Sequence, residues 1–362
     1  MTTIEQTPTR DVDPDKLMSF VFQAVGEVGA ALNTALVVMG DALGYYTTMA
    51  DGEPITPAAL AERTGTAEPY AREWLSAQAA GGYVEYDAPT RTYTLPPEQA
   101  VALADPTSPA YLPGFFQIAH GTVRDTPAVL GAARTGDGIG WHAHNTDVHH
   151  GCERFFRSMY NGHLLGEWLP ALEGVVGKLD RGARVADVGC GHGASTILMA
   201  RAFPASTFVG SDYHAASVEI ARQRAHEAGV ADRVTFEVAS ATEFTGAGYD
   251  LVTMFDCLHD MGDPVGAAAH VRTAIADDGT WMVVEPMAGD HVEDNLTPVG
   301  RAFYGFSTLL CTPASLSQDV GLALGTQAGP ARIRDVTVAG GFTGGFRTAA
   351  STPFNNVFEI RP

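Results

Sequence analysis

A block of alternating glycines follows an apolar run in the middle of the chain. It reads Asp187-Val-Gly189-Cys-Gly191-His-Gly193, and such glycines let the backbone turn tightly and approach a ligand closely. A helix predicted directly after the block would point its N-terminal N–H groups at the same ligand. Later, a second apolar run ends in Asp212, whose carboxylate could accept hydrogen bonds from ribose hydroxyls. These residues indicate a site for a nucleoside-containing ligand.

Two ligand classes fit this block, and a glycine-rich turn that binds nothing is a third reading. Gly189, Gly191 and Ala194 satisfy the GxGxxG/A spacing of dinucleotide-binding loops. Asp187 favours S-adenosylmethionine over NAD, because a carboxylate at the strand end suits an ammonium and a sulfonium and opposes a pyrophosphate. The block also follows a long helical region, which favours S-adenosylmethionine as well.

A second group of candidate residues lies after the apolar run at 249–255. His259 stands there in the block Leu-His-Asp-Met-Gly-Asp, and an imidazole with a pKa near neutrality can accept a proton from a weak oxygen nucleophile. Two alternatives stay open for His259. It could cap a helix or pack in the core, or it could bind a substrate whose nucleophile needs no base.

The glycine block resembles motif I of class I S-adenosylmethionine-dependent methyltransferases. The whole chain resembles the two-domain group with an N-terminal winged helix, namely plant-type small-molecule O-methyltransferases and their bacterial relatives, most strongly over residues 181–290. The resemblance implies S-adenosylmethionine as cofactor, S-adenosylhomocysteine as product and a small, partly aromatic or apolar acceptor methylated on oxygen. N- or C-methylation is the alternative within this class. A ligand-sensing transcriptional regulator and an NAD-dependent oxidoreductase are the alternatives outside it.

The resemblance also assigns roles to single residues. It implies that Gly189, Gly191 and Gly193 line the methionine part of the cofactor beside Asp187, and that Asp212 binds the ribose. Further cofactor contacts are expected from Tyr213, Ser240, Ala241, Thr242, Phe255 and Asp256. Two of these depart from the family pattern: Ser240 lies in a segment where the family often has Asp, and Phe255 replaces a lysine of the plant enzymes.

The same comparison assigns the catalytic end of the site. Leu-His-Asp-Met-Gly-Asp resembles the Leu-His-Asp-Trp-Ser-Asp block of the plant-type enzymes, which implies that His259 is the general base and that Glu285 flanks and orients it. The acceptor is expected to contact His259 and a set of apolar and aromatic side chains: Phe156, Met159, Tyr160, Met287 and Tyr304. The alternative for this set is the hydrophobic core.

The pattern of elements predicts an α/β fold. Apolar runs at 184–188, 206–210, 234–238, 251–255 and 281–285 alternate with helical segments, which predicts a Rossmann-like, doubly wound parallel sheet. Residues 353–360 resemble a final antiparallel strand that closes it. The first hundred residues predict a mostly helical winged-helix domain, with helices near 56–63 and 67–80 and a hairpin after them. We expect a winged-helix dimerisation domain at 1–110, a helical connecting region at 111–178 and the cofactor-binding domain at 179–362.

Charge and composition indicate which classes of binding partner to expect. The chain carries 22 basic and 42 acidic residues, a net charge of −20, and residues 1–100 hold five basic and fourteen acidic residues. DNA readers need several Lys and Arg for phosphates, so nucleic acid is not the expected partner. The apolar segment 17–39 predicts a helix that is buried or forms a homodimer rather than a membrane span, and we expect a soluble cytoplasmic protein.

Metal binding is not expected from the spacing of possible ligands. The four cysteines are far apart and form no CxxC pair. A His-rich segment contains His142, His144, His149 and His150, but it has no HExxH spacing. A metal site, a substrate-facing loop and an ordinary solvated loop all stay open for this segment.

Overall fold

The computed structural model describes residues 11–362, and the chain divides into two compact units between Ala100 and Val101. This division falls earlier than the predicted boundary at residue 110. The predicted connecting region at 111–178 belongs to the second unit.

The first unit is mostly helical and ends in a small antiparallel hairpin, as predicted for a winged helix. Its elements are α1 (Pro14–Ala42), α2 (Tyr45–Thr48), α3 (Pro57–Thr64), α4 (Glu68–Ala80), β1 (Glu85–Asp87) and β2 (Thr92–Thr94), and α5 (Pro97–Leu103) follows. The start of α3 follows the sequence signal closely. Thr56 Oγ1 accepts a hydrogen bond from the backbone N–H of Ala59 at 3.2 Å, and Pro57 occupies the first turn.

The core of the first unit is built around one tryptophan and one buried amide. The ring of Trp74 packs edge-on against Tyr45 and Tyr46, with ring centroids 4.8 and 5.1 Å apart. Gln78, which is fully buried, accepts a hydrogen bond from the Tyr46 hydroxyl at 2.6 Å and donates one to Asn33 at 2.7 Å. These contacts join α4 to α2 and, through Asn33, to the C-terminal half of α1.

The N-terminal half of α1 differs from its prediction. The helix forms, but no element among residues 11–100 covers its first half, so burial within the chain is absent there and the homodimer alternative stays a prediction. Of the residues of α1, Val37 and Gly40 are buried, whereas five large apolar side chains are more than 60% exposed: Phe20, Phe22, Val25, Val28 and Leu32. By length and composition alone α1 could cross a membrane, and it is the one such helix among the described residues.

The second unit contains a seven-stranded sheet flanked by helices. Its strands are β3 (Arg184–Val188), β4 (Thr207–Asp212), β5 (Val234–Val238), β6 (Tyr249–Phe255), β7 (Ile275–Pro286), β8 (Gly345–Ser351) and β9 (Asn355–Arg361). The helices before the sheet are α6 (Pro113–Arg124), α7 (Thr126–Thr135), α8 (Thr146–Met159), α9 (Leu169–Ala171) and α10 (Val175–Arg181). The helices within and after it are α11 (Ala194–Ala202), α12 (Ala215–Glu227), α13 (Pro264–Ala274), α14 (Pro298–Phe306), α15 (Thr312–Leu316) and α16 (Gly329–Ala339).

Short segments of other helical geometry complete the unit. Three are 3₁₀ helices, Trp141–Ala143, Leu258–Asp260 and Val292–Asn295, and two are π-helical, Tyr160–Trp168 and Ser307–Cys311. π-helical turns are rare and occur often at functional sites. No sequence signal predicted them.

The strand order is β5-β4-β3-β6-β7-β9-β8, and β9 runs antiparallel to the other six strands. The five predicted parallel strands are therefore confirmed, as is the final antiparallel strand. That strand is not at the edge, however, because β8, which the sequence did not predict, lies outside it.

Each face of the sheet carries its own hydrophobic core. Successive strand residues point to opposite faces, so Val185 and Met282 belong to one core whereas Ala186 and Trp281 belong to the other. Helices therefore cover both faces, as predicted for a doubly wound sheet. The chain order reverses between β3 and β6, and the carboxyl ends of strands beside such a point are the usual place for a ligand.

Candidate active site

A cavity of about 560 Å³ opens at the carboxyl ends of the parallel strands. Its wall contains eleven of the residues predicted to contact cofactor or acceptor: Phe156, Tyr160, Gly189, Gly191, Asp212, Tyr213, Ser240, Ala241, Thr242, Phe255 and Asp256. Seven predicted site residues are outside its wall: Met159, Asp187, Gly193, His259, Glu285, Met287 and Tyr304. The sequence therefore located this cavity from its motifs, although not every residue of a motif faces it.

Asp187 is buried beneath the glycine loop and is 1% exposed. Its Oδ2 accepts hydrogen bonds from the hydroxyls of Ser195 at 2.7 Å and Thr196 at 2.5 Å, both in the first turn of α11. Its Oδ1 accepts one from Thr253 of β6 at 2.8 Å. Burial raises the pKa of Asp187, and the three hydroxyls oppose that shift. The carboxylate thus joins β3, α11 and β6.

The three glycines of the loop share one backbone conformation but differ in their surroundings. All have positive φ, at 75° for Gly189, 51° for Gly191 and 77° for Gly193, a region that other residues adopt only with strain. A Cβ at Gly191 would meet no atom within 4 Å, because this position faces the cavity. A Cβ at Gly193 would lie 2.7 Å from the ring of Phe236, so this glycine permits close packing against β5.

Asp212, at the end of β4, lines the cavity beside the glycine loop. Its Oδ2 accepts a hydrogen bond from the Gly191 N–H at 3.0 Å, and its Oδ1 accepts one from the His214 N–H at 2.8 Å. Burial raises the pKa of Asp212, whereas these two N–H groups lower it. Each carboxylate oxygen retains a further lone pair that could accept a ligand hydroxyl.

The end of β6 turns sharply at Asp256, which has a positive φ of 49°. Its N–H donates the last ladder hydrogen bond to the Val284 carbonyl at 2.8 Å, and its Oδ1 accepts one from Asn355 at 2.7 Å. Burial, followed by the charge of Glu285, raises the pKa of Asp256 well above its ordinary value. A non-glycine residue in this backbone region is strained, and the turn leads directly into the 3₁₀ helix that carries His259.

Glu285 and His259 meet because β6 and β7 are adjacent parallel strands. Phe255 pairs with Val284, so Glu285 lies one residue beyond the last pair and beside the turn after β6. Its Oε2 is 2.6 Å from Nδ1 of His259, and its Oε1 accepts the N–H of Leu258 at 3.1 Å. Both side chains are buried. The carboxylate therefore holds the turn and the imidazole together.

The other ring nitrogen of His259 faces Asp260. Nε2 lies 3.1 Å from Asp260 Oδ1, and Asp260 lines the cavity whereas His259 does not. Burial alone lowers the pKa of His259, but the carboxylates of Glu285 and Asp260 outweigh it and raise the pKa well above its ordinary value.

Aromatic side chains form the apolar wall. The Tyr160 ring lies 5.0 Å from Phe255 and is stacked on Phe156 at 6.2 Å. Burial raises the pKa of Tyr160 well above its ordinary value, so its hydroxyl is neutral. Met159, by contrast, lies in the hydrophobic core. Met287 is tied to the backbone of Phe354 through its own N–H.

Several cavity residues were not predicted. In the His-rich segment, Trp141 and His149 line the wall with their rings stacked 5.3 Å apart. His144 is instead buried against Asp125, with Nδ1 3.0 Å from its carboxylate. Asp260 could have been found, since it belongs to the same block as His259. Nothing in the sequence distinguished Trp141.

Two parts of the chain match profiles of known families. Residues 179–312 match a family described as a methyltransferase domain, and residues 30–105 match one described as an Rv2258c-like winged HTH domain. These matches confirm the predicted winged-helix and methyltransferase domain types, and they assign the predicted enzyme class, a methyltransferase, to the second.

Individual relatives agree with this assignment. Over 143 residues the chain is 34% identical to 27-O-demethylrifamycin SV methyltransferase of Amycolatopsis mediterranei, covering 39% of this chain and 44% of that enzyme. The chain spans less than half the length of the curated relatives it matches.

Solved structures extend the likeness to nearly the whole fold. An O-methyltransferase family protein from Burkholderia thailandensis has a TM-score of 0.67 and 18% identity, with 97% of this chain and 98% of that chain covered. Human N-acetylserotonin methyltransferase, solved in complex with S-adenosylmethionine, has a TM-score of 0.68 and 14% identity, with 98% and 99% covered. The predicted fold class is thus confirmed.

The hydrogen bonds of Asp187 lead to a stability prediction. Asp187→Ala should lower the free energy of unfolding by about 2–4 kcal/mol, because it leaves buried hydroxyls without an acceptor. Urea unfolding followed by circular dichroism measures the change. Asp277→Ala, at an exposed position, is the matched control and should change stability by less than about 0.5 kcal/mol. Equal stability of the two variants would contradict the structural role of Asp187.

Proposed function

We propose that this chain, in which a winged helix-turn-helix domain precedes a methyltransferase domain, transfers the methyl group of S-adenosylmethionine to an oxygen atom of a small molecule. The cavity at the carboxyl ends of the strands carries this proposal. It brings the glycine loop and Asp212 together with Asp260 and an aromatic wall.

The residues around the glycine loop fit S-adenosylmethionine. Gly191 leaves open space above its Cα, and Asp212 beside it offers lone pairs to ribose hydroxyls. The hydroxyls of Ser240 and Thr242 and the Tyr213 side chain continue this part of the wall. When bound, the cofactor supplies a methyl group on a sulfonium, which an oxygen nucleophile attacks in line. Asp187 supports the loop from beneath rather than lining the cavity.

Ligand-induced stabilisation tests the cofactor assignment. S-adenosylmethionine or S-adenosylhomocysteine at 100 times its dissociation constant should stabilise the fold by about 2.7 kcal/mol, and NAD should not. Thermal unfolding of the full-length protein measures this effect. Asp212→Ala should remove most of the stabilisation, whereas the exposed-site variant Asp277→Ala should retain it. Stabilisation by NAD alone would overturn the proposal.

Proton removal from the acceptor is the task of His259 in this proposal. Glu285 holds Nδ1 and stabilises the positive charge of the imidazolium, so Nε2 is the nitrogen that accepts the proton. Asp260 lies between Nε2 and the cavity. The proton of the acceptor is therefore received at Nε2, beside the Asp260 carboxylate.

Substitution of the base tests this role. His259→Ala should lower kcat by roughly 100- to 10,000-fold and retain stabilisation by S-adenosylmethionine, since His259 is outside the cofactor side of the wall. Turnover with methyl-labelled cofactor measures the loss. His226→Ala, at an exposed position of α12, is the control. Unchanged turnover in His259→Ala would remove the general-base assignment and favour an acceptor that needs no base, such as an amine or an activated carbon.

The acceptor is proposed to be small and partly aromatic or apolar. Trp141, Phe156 and Tyr160 offer ring faces along one wall, and offset or edge-on ring packing would position a flat molecule. A screen of small metabolites with labelled cofactor identifies the acceptor. Analysis of the methylated atom in the product then separates O-methylation from the N- and C-methylation alternatives.

The winged-helix domain is proposed to have a role other than reading DNA. Arg72 is the single basic residue of α4, and its guanidinium is paired with Glu68 at 3.0 Å and Glu73 at 3.5 Å. Major-groove recognition needs free donors for phosphates and bases on such a helix. The charges of α4 therefore support an enzyme rather than a transcriptional regulator.

Homodimerisation through the first unit is the role we propose instead. The exposed N-terminal half of α1 carries Phe20, Phe22 and Val25, and between residues 17 and 40 its one charged residue is Glu27. Exposed apolar surface of this kind marks an interaction site, and a second copy would present the same surface, as two-fold interfaces require. Covering this surface by a second copy would keep the enzyme in the cytoplasm rather than at a membrane.

Solution mass tests this interface. Phe22→Asp should convert a dimer into a monomer, because it places a charge in the apolar contact, and size-exclusion chromatography with light scattering measures the change. Val292→Asp, an equally exposed apolar position in the second unit, is the matched control and should remain dimeric. A monomeric wild-type protein would contradict the dimer. Cosedimentation of the protein with phospholipid vesicles, if it depends on α1, would contradict it as well.

A further inference from the structure

We propose that His259, Asp260 and Cys311 form a binding site for one divalent transition-metal ion of the zinc type. The ligand atoms of these three side chains all lie within 4.8 Å of one another. They offer an imidazole nitrogen, a carboxylate oxygen and a sulfur, the three ligand types that zinc binds in proteins.

The spacing of two of the three ligands agrees with a tetrahedral ion. Nε2 of His259 and Oδ1 of Asp260 are 3.1 Å apart. Two nitrogen or oxygen ligands of tetrahedral zinc, each about 2.0–2.1 Å from the metal, are separated by about 3.3 Å. Little movement is therefore needed to place both atoms on one ion.

The fold creates this cluster from distant parts of the chain. His259 and Asp260 belong to the 3₁₀ helix after β6, and Cys311 is the last residue of the π-helical segment Ser307–Cys311. Cys311 is 4% exposed and His259 is 3% exposed. No ligand spacing in the sequence predicts such a site, because the third ligand lies far from the first two.

A carboxylate behind the cluster orients the imidazole for metal binding. Glu285 Oε2 holds Nδ1 of His259 at 2.6 Å, which leaves Nε2 as the ligand nitrogen. Metal-binding histidines almost always have such a partner on their other nitrogen, because it fixes the tautomer and ring orientation. Glu285 is itself fixed by the N–H of Leu258.

The cluster is also open on one side. Asp260 lines the cavity, so a fourth ligand could be water or an acceptor atom, as in zinc sites with three protein ligands. The buried Oδ1 of Asp260 is the carboxylate oxygen that faces Nε2 of His259, at 3.1 Å. Binding would convert the Cys311 thiol to a thiolate and release its proton to solvent.

One consequence rests on the proposed function. The metal would occupy Nε2 of His259, the atom proposed to take the proton from the methyl acceptor. Zn²⁺ should therefore inhibit methyl transfer by competing with that proton. The metal site itself does not depend on that function, and its test needs neither cofactor nor acceptor.

Cobalt substitution tests the site directly. The reduced full-length protein, titrated with Co²⁺, should bind one ion per chain and develop a thiolate-to-cobalt charge-transfer band that Zn²⁺ abolishes. Cys311→Ser should lose the band. Cys190→Ser, which alters a buried cysteine of the glycine loop, should retain it.

A second variant keeps the test decisive if Cys311→Ser fails to fold, which circular dichroism would reveal. Glu285→Gln should keep the band and weaken Co²⁺ affinity by about 10- to 100-fold. Absence of the band in the wild-type protein, its persistence in folded Cys311→Ser, or wild-type affinity in Glu285→Gln would overturn the site. Zinc binding without inhibition of turnover would leave the site intact and contradict the base assignment instead.

Discussion

One buried carboxylate holds the ligand end of the sheet together. Asp187 accepts hydrogen bonds from two hydroxyls at the start of α11 and from one on β6, so the strand before the glycine loop, the helix after it and the neighbouring strand share one acceptor. These hydrogen bonds anchor the loop at both ends. The position of Gly191 beside Asp212, and hence the shape of the cavity, follows from that anchoring.

At the catalytic end of the sheet, a second buried carboxylate also holds neighbouring groups together. Glu285 also uses both carboxylate oxygens, one for a backbone N–H and one for an imidazole. Parallel strands explain why such groups gather, because each strand delivers its last residue to the same edge of the sheet. Taking these carboxylates out of water is costly unless they are fully hydrogen-bonded. Their satisfaction by loop N–H and O–H groups is what orders the loops.

The sequence predicted the parts of this architecture that depend on local pattern. Strands β3 and β5 were predicted at their observed bounds, since each is a short apolar run between turn residues. Strand β8 was missed because an exposed edge strand needs no apolar alternation. For α1 the sequence predicted a helix but left burial and homodimerisation open, since periodicity shows that a helix is apolar but not what covers it.

The candidate site, too, could be predicted only where local sequence pattern determines it. Motif spacing located Asp212 and the turn at His259, because both follow strands whose ends must meet. It could not show that Asp187, Gly193 and Glu285 lie behind the cavity wall, because that depends on which side chain each strand end turns inward. The contributions of Trp141 and Cys311 come from irregular segments packed by tertiary contacts, and no local pattern encodes those contacts.

Because β9 lies between β7 and β8, this side of the sheet can form only after β9 has been synthesised. Among residues 11–362, strand β8 pairs with β9 and with no other strand, and β9 connects it to β7. Until residues 355–361 leave the ribosome, β7 presents an open edge and residues 345–351 have no sheet to join. The nascent chain therefore exposes an unpaired strand edge until β9 has been synthesised, the kind of surface that chaperones protect from aggregation.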